Sequence, residues 1–173
     1  IINSLDKSKV QGLDSLRINT TGLAENSNYY TVYFETLSGE VEAQIQSIEN
    51  NILTAQVPHF DDMKIGPISV YNQDENGTRS NAAELTFIPE NVEFLPGLPN
   101  LDGEIELGIT QPQGLPDIFY RLEGGSELSY SAPITLANKT SVEAWAVKTV
   151  NNTSYSSEKS EFVHSVCEPG EDY

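Results

Sequence analysis

The chain has 173 residues, 26 Asp and Glu against 9 Lys and Arg, a formal charge of −17, and 38% hydrophobic residues. A charge of that sign repels phosphate backbones and anionic lipid, which argues against nucleic acid as a partner, while the apolar content suffices for a folded core. The single cysteine, Cys167, leaves no intrachain disulfide or cysteine-based zinc set within these residues, and no stretch approaches the ~20 apolar residues of a membrane span.

Apolar residues recur with period two between turn clusters, and no segment sustains the three-and-four spacing of an amphipathic helix, so the chain reads as all-β. Leu16 and Ile18 form a first short strand ending at Thr20-Thr21-Gly22. Tyr30, Val32 and Phe34 then alternate with Thr31, Tyr33 and Glu35, one set for a core and the other for solvent. Val41, Ala43 and Ile45 repeat the pattern after Ser38-Gly39. Beyond Asn50-Asn51 come Leu53, Ala55 and Val57, stopped by Pro58, which has no N–H for a ladder. Gly66-Pro67 opens a strand with Ile68 and Val70 inward, the run from Asn72 to Gly77 reads as a hairpin tip, and Leu85 with Phe87 closes the set.

Between Ile88 and Asp102 the chain carries three prolines and a glycine, which marks a domain boundary near Glu90. Strands resume at Ile105, Leu107 and Ile109, then Ile118 to Leu122, Ile134 to Leu136, Val142 to Ala146, and Phe162. The expected organisation is a β-sandwich over 1–89, a second over 90–166, and an acidic tail over 167–173. The chain opens at Ile1 rather than at a methionine, which points to a segment of something longer.

Two resemblances sharpen this outline. The opening Ile2-Asn3-Ser4-Leu5, Leu16-Arg17-Ile18-Asn19 before Gly22-Leu23, Val32-Tyr33-Phe34, Leu53 to Pro58, Gly66 to Val70, and Leu85-Thr86-Phe87 resemble the IPT or TIG family of immunoglobulin-like domains. The Pro-Gly-Gly usual in that family is replaced by the run from Lys9 to Leu13. The second half is similar to the small β-sandwich module at the C-terminus of chitobiase and β-hexosaminidase enzymes. That likeness is carried by Phe94-Leu95-Pro96-Gly97, Ile118 to Ser126, Tyr130 to Leu136, and Val142-Glu143-Ala144-Trp145-Ala146, with Glu123-Gly124-Gly125-Ser126 where the family prefers Asp-Gly-Ser. Together they imply two tandem immunoglobulin-like β-sandwich domains of an extracellular or cell-surface protein, bacterial by the pairing, accessory and without catalysis of their own.

The residues themselves offer little catalytic chemistry. His59 and His164 are the only histidines, and each reads as a solvated or capping residue rather than a base held by a carboxylate. Asn72 to Gly77 imitates the first half of a calcium loop, but Ala83 stands where the bidentate acid belongs, so the hairpin tip is the better reading. Asp61, Asp62, Asp74 and Asp102 are the candidate Ca2+ ligands should the chain be a calcium-stiffened repeat; no other cofactor is expected. Trp145, out of phase with Val142, Ala144 and Ala146, should lie on the outer sheet face, where an exposed ring would be a platform for a sugar or an apolar partner; packing against the other module, the tail or a neighbouring strand is the commoner outcome for such a ring. Tyr29, Tyr33 and Tyr71 form a similar outward set, open to ligands or to cross-strand packing, the commoner use of Tyr in sheets. Five Asn-x-Ser/Thr acceptors, at Asn19, Asn76, Asn138, Asn151 and Asn152, fall in expected turns.

The function expected is therefore a spacer or attachment segment, with weak carbohydrate or protein contact, of a larger secreted or surface protein. The alternatives are a dedicated carbohydrate-binding module of a glycoside hydrolase and a Ca2+-stiffened adhesin repeat.

Overall fold

The computed structural model describes residues 1–23, 29–36, 38–59, 61 and 64–165. Among them there are sixteen β-strands and no α-helix, hence none long and apolar enough to cross a membrane. The chain divides into two compact units, Ile1–Ile88 and Pro89–Tyr173.

Unit 1 holds β1 (Ile2–Leu5), β2 (Lys9–Val10), β3 (Ser15–Thr20), β4 (Tyr30–Thr36), β5 (Gly39–Glu49), β6 (Ile52–Gln56), β7 (Gly66–Asp74) and β8 (Ala83–Phe87). Their order is β1-β3-β6-β5-β4-β7-β8-β2, so one run of pairing passes through both layers of the sandwich. It turns the corner inside β5. Residues 39–43 of β5 pair with β4 and the rest with β6, in a ladder that carries a bulge between Ile45 and Ser47. An extra residue in one strand re-aims the side chains beyond it. That corrects the simple alternation expected here: Ala43 is buried, Ile45 only half-buried, and the next buried residue is Ile48.

The N-terminal segment also changes layer, because β1 pairs with β3 whereas β2 pairs in parallel with β8. Asn81 ties β1 down, accepting from the Ile2 N–H (2.7 Å) and donating to the Ile2 carbonyl (2.9 Å). Leu16, Ile18, Val32, Phe34, Leu53, Val70 and Phe87 are fully enclosed. Burial of each such side chain contributes about 1.5–3 kcal/mol, so this set drives the closure.

Unit 2 holds β9 (Phe94–Pro96), β10 (Ile105–Ile109), β11 (Asp117–Leu122), β12 (Leu128–Ser129), β13 (Ile134–Leu136), β14 (Thr140–Val150), β15 (Thr153–Ser156) and β16 (Ser160–His164). One sheet runs β13-β10-β9; the other runs β12-β11-β14, with β16 and β15 sharing the far edge of β14. The core between them gathers Val92, Ile105, Leu107, Ile118, Leu136, Val142, Ala144 and Ala146, with Phe94, Tyr120 and Phe162 packed against it. At Gly97 a Cβ would stand 3.0 Å from the Glu106 carbonyl oxygen, so the turn after β9 needs a residue without one.

Each unit closes a long hairpin with two asparagines in left-handed backbone: Asn50 (φ 51°) and Asn51 (φ 62°) between β5 and β6, Asn151 (φ 50°) and Asn152 (φ 62°) between β14 and β15. Two successive positive φ values make the type I′ turn that matches the twist of its strands, and asparagine tolerates them better than most residues. Two details differ from the sequence reading. Asn19 lies inside β3 rather than in a turn, and β7 continues through Asp74, leaving a shorter hairpin tip.

Candidate functional site

The outer sheet face of each unit carries an aromatic pair covered by a cation. In unit 1 the register of β4 and β7 sets Tyr33 directly opposite Tyr71, and the rings stack at 5.4 Å with 24° between planes. The turn after β7 brings Arg79 back beside Gln73, and its guanidinium lies 4.6 Å above the Tyr71 ring. The fork of that guanidinium donates to both Glu40 carboxylate oxygens, at 2.7 and 3.2 Å, and its Nε donates to Gln73 Oε1 at 3.2 Å. Planar Arg suits this role, since one face stacks on the ring while the edge meets a carboxylate.

The cluster perturbs its own titration. Burial first, and then the neighbouring Glu40 carboxylate, push the Tyr71 hydroxyl up to about 12. Glu40 is held below the usual carboxylate range by the Tyr71 hydroxyl and by Arg79. Geometry favours Arg79 as the main cause: it makes two direct bonds, whereas the buried Tyr71 hydroxyl reaches no acceptor in hydrogen-bond geometry.

In unit 2 the register of β11 and β14 sets Phe119 opposite Trp145, with ring centroids 6.5 Å apart. Arg121, two residues along β11, places its guanidinium carbon 5.2 Å from the Trp145 ring centre, and the Lys159 ammonium, from the segment before β16, stands at the same distance. Lys159 is anchored by Glu143 Oε2 at 2.7 Å; Arg121 faces Glu127 at 3.7 Å, beyond hydrogen-bond reach. The lysine donor holds Glu143 below the usual carboxylate range.

These clusters decide for packing over the open platform. Trp145 does lie off the core face of β14, as alternation requires, but only 7% of it is exposed. Tyr71 is exposed by 3%, so it too is sealed rather than presented. Tyr33 is half-buried in the stack, and Tyr29, just before β4, is 42% exposed. Sequence reading missed Arg79, Glu40, Arg121 and Lys159. The hairpin register across the tip after β7 could have revealed Arg79, because it stands opposite Gln73, two residues from Tyr71.

The proposed calcium ligands are used otherwise or lie apart. Asp74 Oδ1 accepts from the Asn76 and Thr78 N–H groups, at 3.0 and 2.8 Å, and so braces the hairpin tip. Asp102 donates its N–H to Asn100 Oδ1, and Asp61 is exposed beside His59 at 3.7 Å. Asp62 lies outside the described residues, as does Cys167. Among the described residues no three His, Cys, Asp or Glu side chains converge as a metal site requires. His164, expected as a solvated or capping residue, is buried, and its Nε2 donates to the Gly103 carbonyl at 2.8 Å, which assigns the proton to that nitrogen because a carbonyl only accepts. An open groove of about 560 Å³ on unit 1 is lined by Glu35, Pro67, Ser69, Glu84 and Thr86, one row along the sheet from the tyrosine stack.

No protein-family profile and no curated protein matches the chain. Solved structures similar to it include the γ-CGTase of alkalophilic Bacillus clarkii, with 11% identity over 95% of this chain and 25% of that one, at a TM-score of 0.44. A cytokine receptor complex has 11% identity over 87% and 96% of the two chains, at 0.39. The SGBP-B of the Bacteroides ovatus mixed-linkage glucan utilization locus, in complex with a mixed-linkage heptasaccharide, has 13% identity over 91% and 43%, at 0.38. This chain spans a quarter of the length of the first. At such values none carries an assignment of function.

Proposed function

We propose that the chain is a non-catalytic accessory segment of a larger secreted or cell-surface protein, in which two β-sandwich modules space or attach their neighbours and touch carbohydrate only weakly. One observation carries this reading: the rings best suited to capture a ligand, Trp145 and Tyr71, are sealed under side chains tied into ion pairs. An indole committed to Arg121 and Lys159 does not offer its face to a sugar, so any contact is shallow. The resolved pKa shifts among the described residues fall on Glu40, Tyr71, Arg79 and Glu143, all members of the same packing clusters. Catalytic acids and bases are shifted by a cleft that surrounds them; here Tyr71 is shifted first by its own burial in the stack, and Glu40, Arg79 and Glu143 by partners within the ring-capping clusters. The two resemblances found in the sequence, both to accessory modules, support the same reading.

The test has two arms. On an array of neutral and acidic glycans, binding should be undetectable or weaker than about 1 mM, a free energy of only about −4 kcal/mol. Chromogenic glycosides and esters should turn over no faster than in buffer. A micromolar glycan lost in Trp145→Ala, or turnover that survives repurification, sinks the spacer reading.

A further inference from the structure

The cover over Trp145 is made of two unlike parts. Arg121 sits within β11 opposite Glu143, its Nε enclosed, so its stem is held by the sheet. Lys159 lies between β15 and β16, its side chain 46% exposed, held to the ring by one contact at 5.2 Å and one exposed ion pair. A lysine is a compact charge on a flexible stem, and an exposed pair of this kind is weak and screened by salt. Beneath it, the rings of Trp145 and Phe119 lie 6.5 Å apart with 24° between their planes, flanked by charged side chains. Around the two rings stand Glu143 and, opposite it on β16, Glu161, with Arg121 and Glu127 on the other side. Carboxylates and a guanidinium beside an aromatic plane supply acceptors and donors for hydroxyl groups, and three glutamates disfavour an anionic ligand.

We propose that Lys159 is a swinging lid over a latent saccharide platform, and that the part of Trp145 under the lysine, with Phe119, receives the C–H face of a neutral pyranose beside the fixed Arg121 guanidinium when the lysine turns to solvent. This deepens the accessory reading and rests on it: the lid is the reason that carbohydrate contact is weak. Because only the open fraction binds, apparent affinity falls by that fraction. One exposed cation–π contact with one exposed ion pair holds the closed state by about tenfold.

Trp145 is the only tryptophan, so acrylamide quenching of its fluorescence reads the cover directly. Lys159→Ala should raise the quenching constant about threefold or more, and 1 M NaCl should move the wild type toward the variant, consistent with screening of the exposed pair. Cellohexaose, chitohexaose and maltohexaose serve as neutral probes, and at least one should bind Lys159→Ala about tenfold more tightly than wild type, as removal of the closed state requires. Calorimetric melting confirms that the variant is folded; if it is not, Lys159→Gln, which keeps most of the stem, replaces it with the same expectations. Equal quenching in wild type and variant overturns the lid. Raised quenching with no hexaose bound by either protein overturns the platform and leaves the accessory reading intact, whereas turnover of a chromogenic glycoside sinks that reading without touching the lid.

Discussion

The two units solve one surface problem with the same parts and different fastenings. In each, a strand register sets two aromatic rings side by side on the outer face, a cation covers one of them, and a glutamate holds the cation. In unit 1 a single arginine does all of this, 4.6 Å from the ring and forked onto both oxygens of Glu40. Unit 2 divides the work between Arg121 and Lys159, each at 5.2 Å, with one direct ion pair and one that is too long to be a hydrogen bond. A bidentate, planar clamp is pre-organised, while a lysine tied at one point retains rotamer freedom. The parallel therefore predicts a rigid seal in unit 1 and a yielding one in unit 2.

Three experiments break or sharpen that contrast. The largest effect comes from deleting the sealed rings: Trp145→Ala and Tyr71→Ala should each lower unfolding free energy by about 3 kcal/mol, the usual cost of truncating a buried aromatic. Calorimetry on the two variants decides whether the clusters are equivalent in weight; a loss below about 1 kcal/mol in either would show that its ring is an ornament of the surface. The second effect is alkaline and confined to unit 1. Tyr71 has its hydroxyl pushed from 10 up to about 12, so the unfolded chain ionises first, and the stabilisation present below pH 10 is lost as pH rises toward 12. Circular dichroism melts at pH 9 and 11.5 should show that loss in wild type and not in Tyr71→Phe; an equal loss in both places its origin elsewhere. The smallest effect is Tyr71→Phe at neutral pH. A hydroxyl without a well-formed partner contributes little, so stability should change by less than about 1 kcal/mol, whereas a larger loss would mean that the phenol bonds Glu40 after all.

Much of the strand layout was legible before the structure, for reasons that particular segments make plain. Val32 and Phe34, Leu53 and Ala55, Ile105 and Leu107, and Val142 and Ala144 all lie on core faces where period-two alternation puts them. Alternation fails where the chain leaves a regular ladder. In β5 a bulge moves the inward position from Ser47 to Ile48, and nothing in the residue types announces it. The short strands β1, β2, β9, β12 and β15 were also missed, being two to four residues long and defined by their partners rather than by any pattern of their own.

For the site, facing was readable and exposure was not. Which side of β14 carries Trp145 follows from geometry repeated every two residues, a property of the backbone that needs no knowledge of neighbours. The same holds for the paired asparagines, whose tolerance of left-handed backbone is local. Whether that side is open depends on side chains that come from far along the chain: Arg79 reaches Glu40 across 39 positions and Lys159 reaches Glu143 across 16. Only the assembled sheets bring those charges over the rings, because a cation settles on an aromatic face through distance and desolvation, and neither exists until the strands have paired.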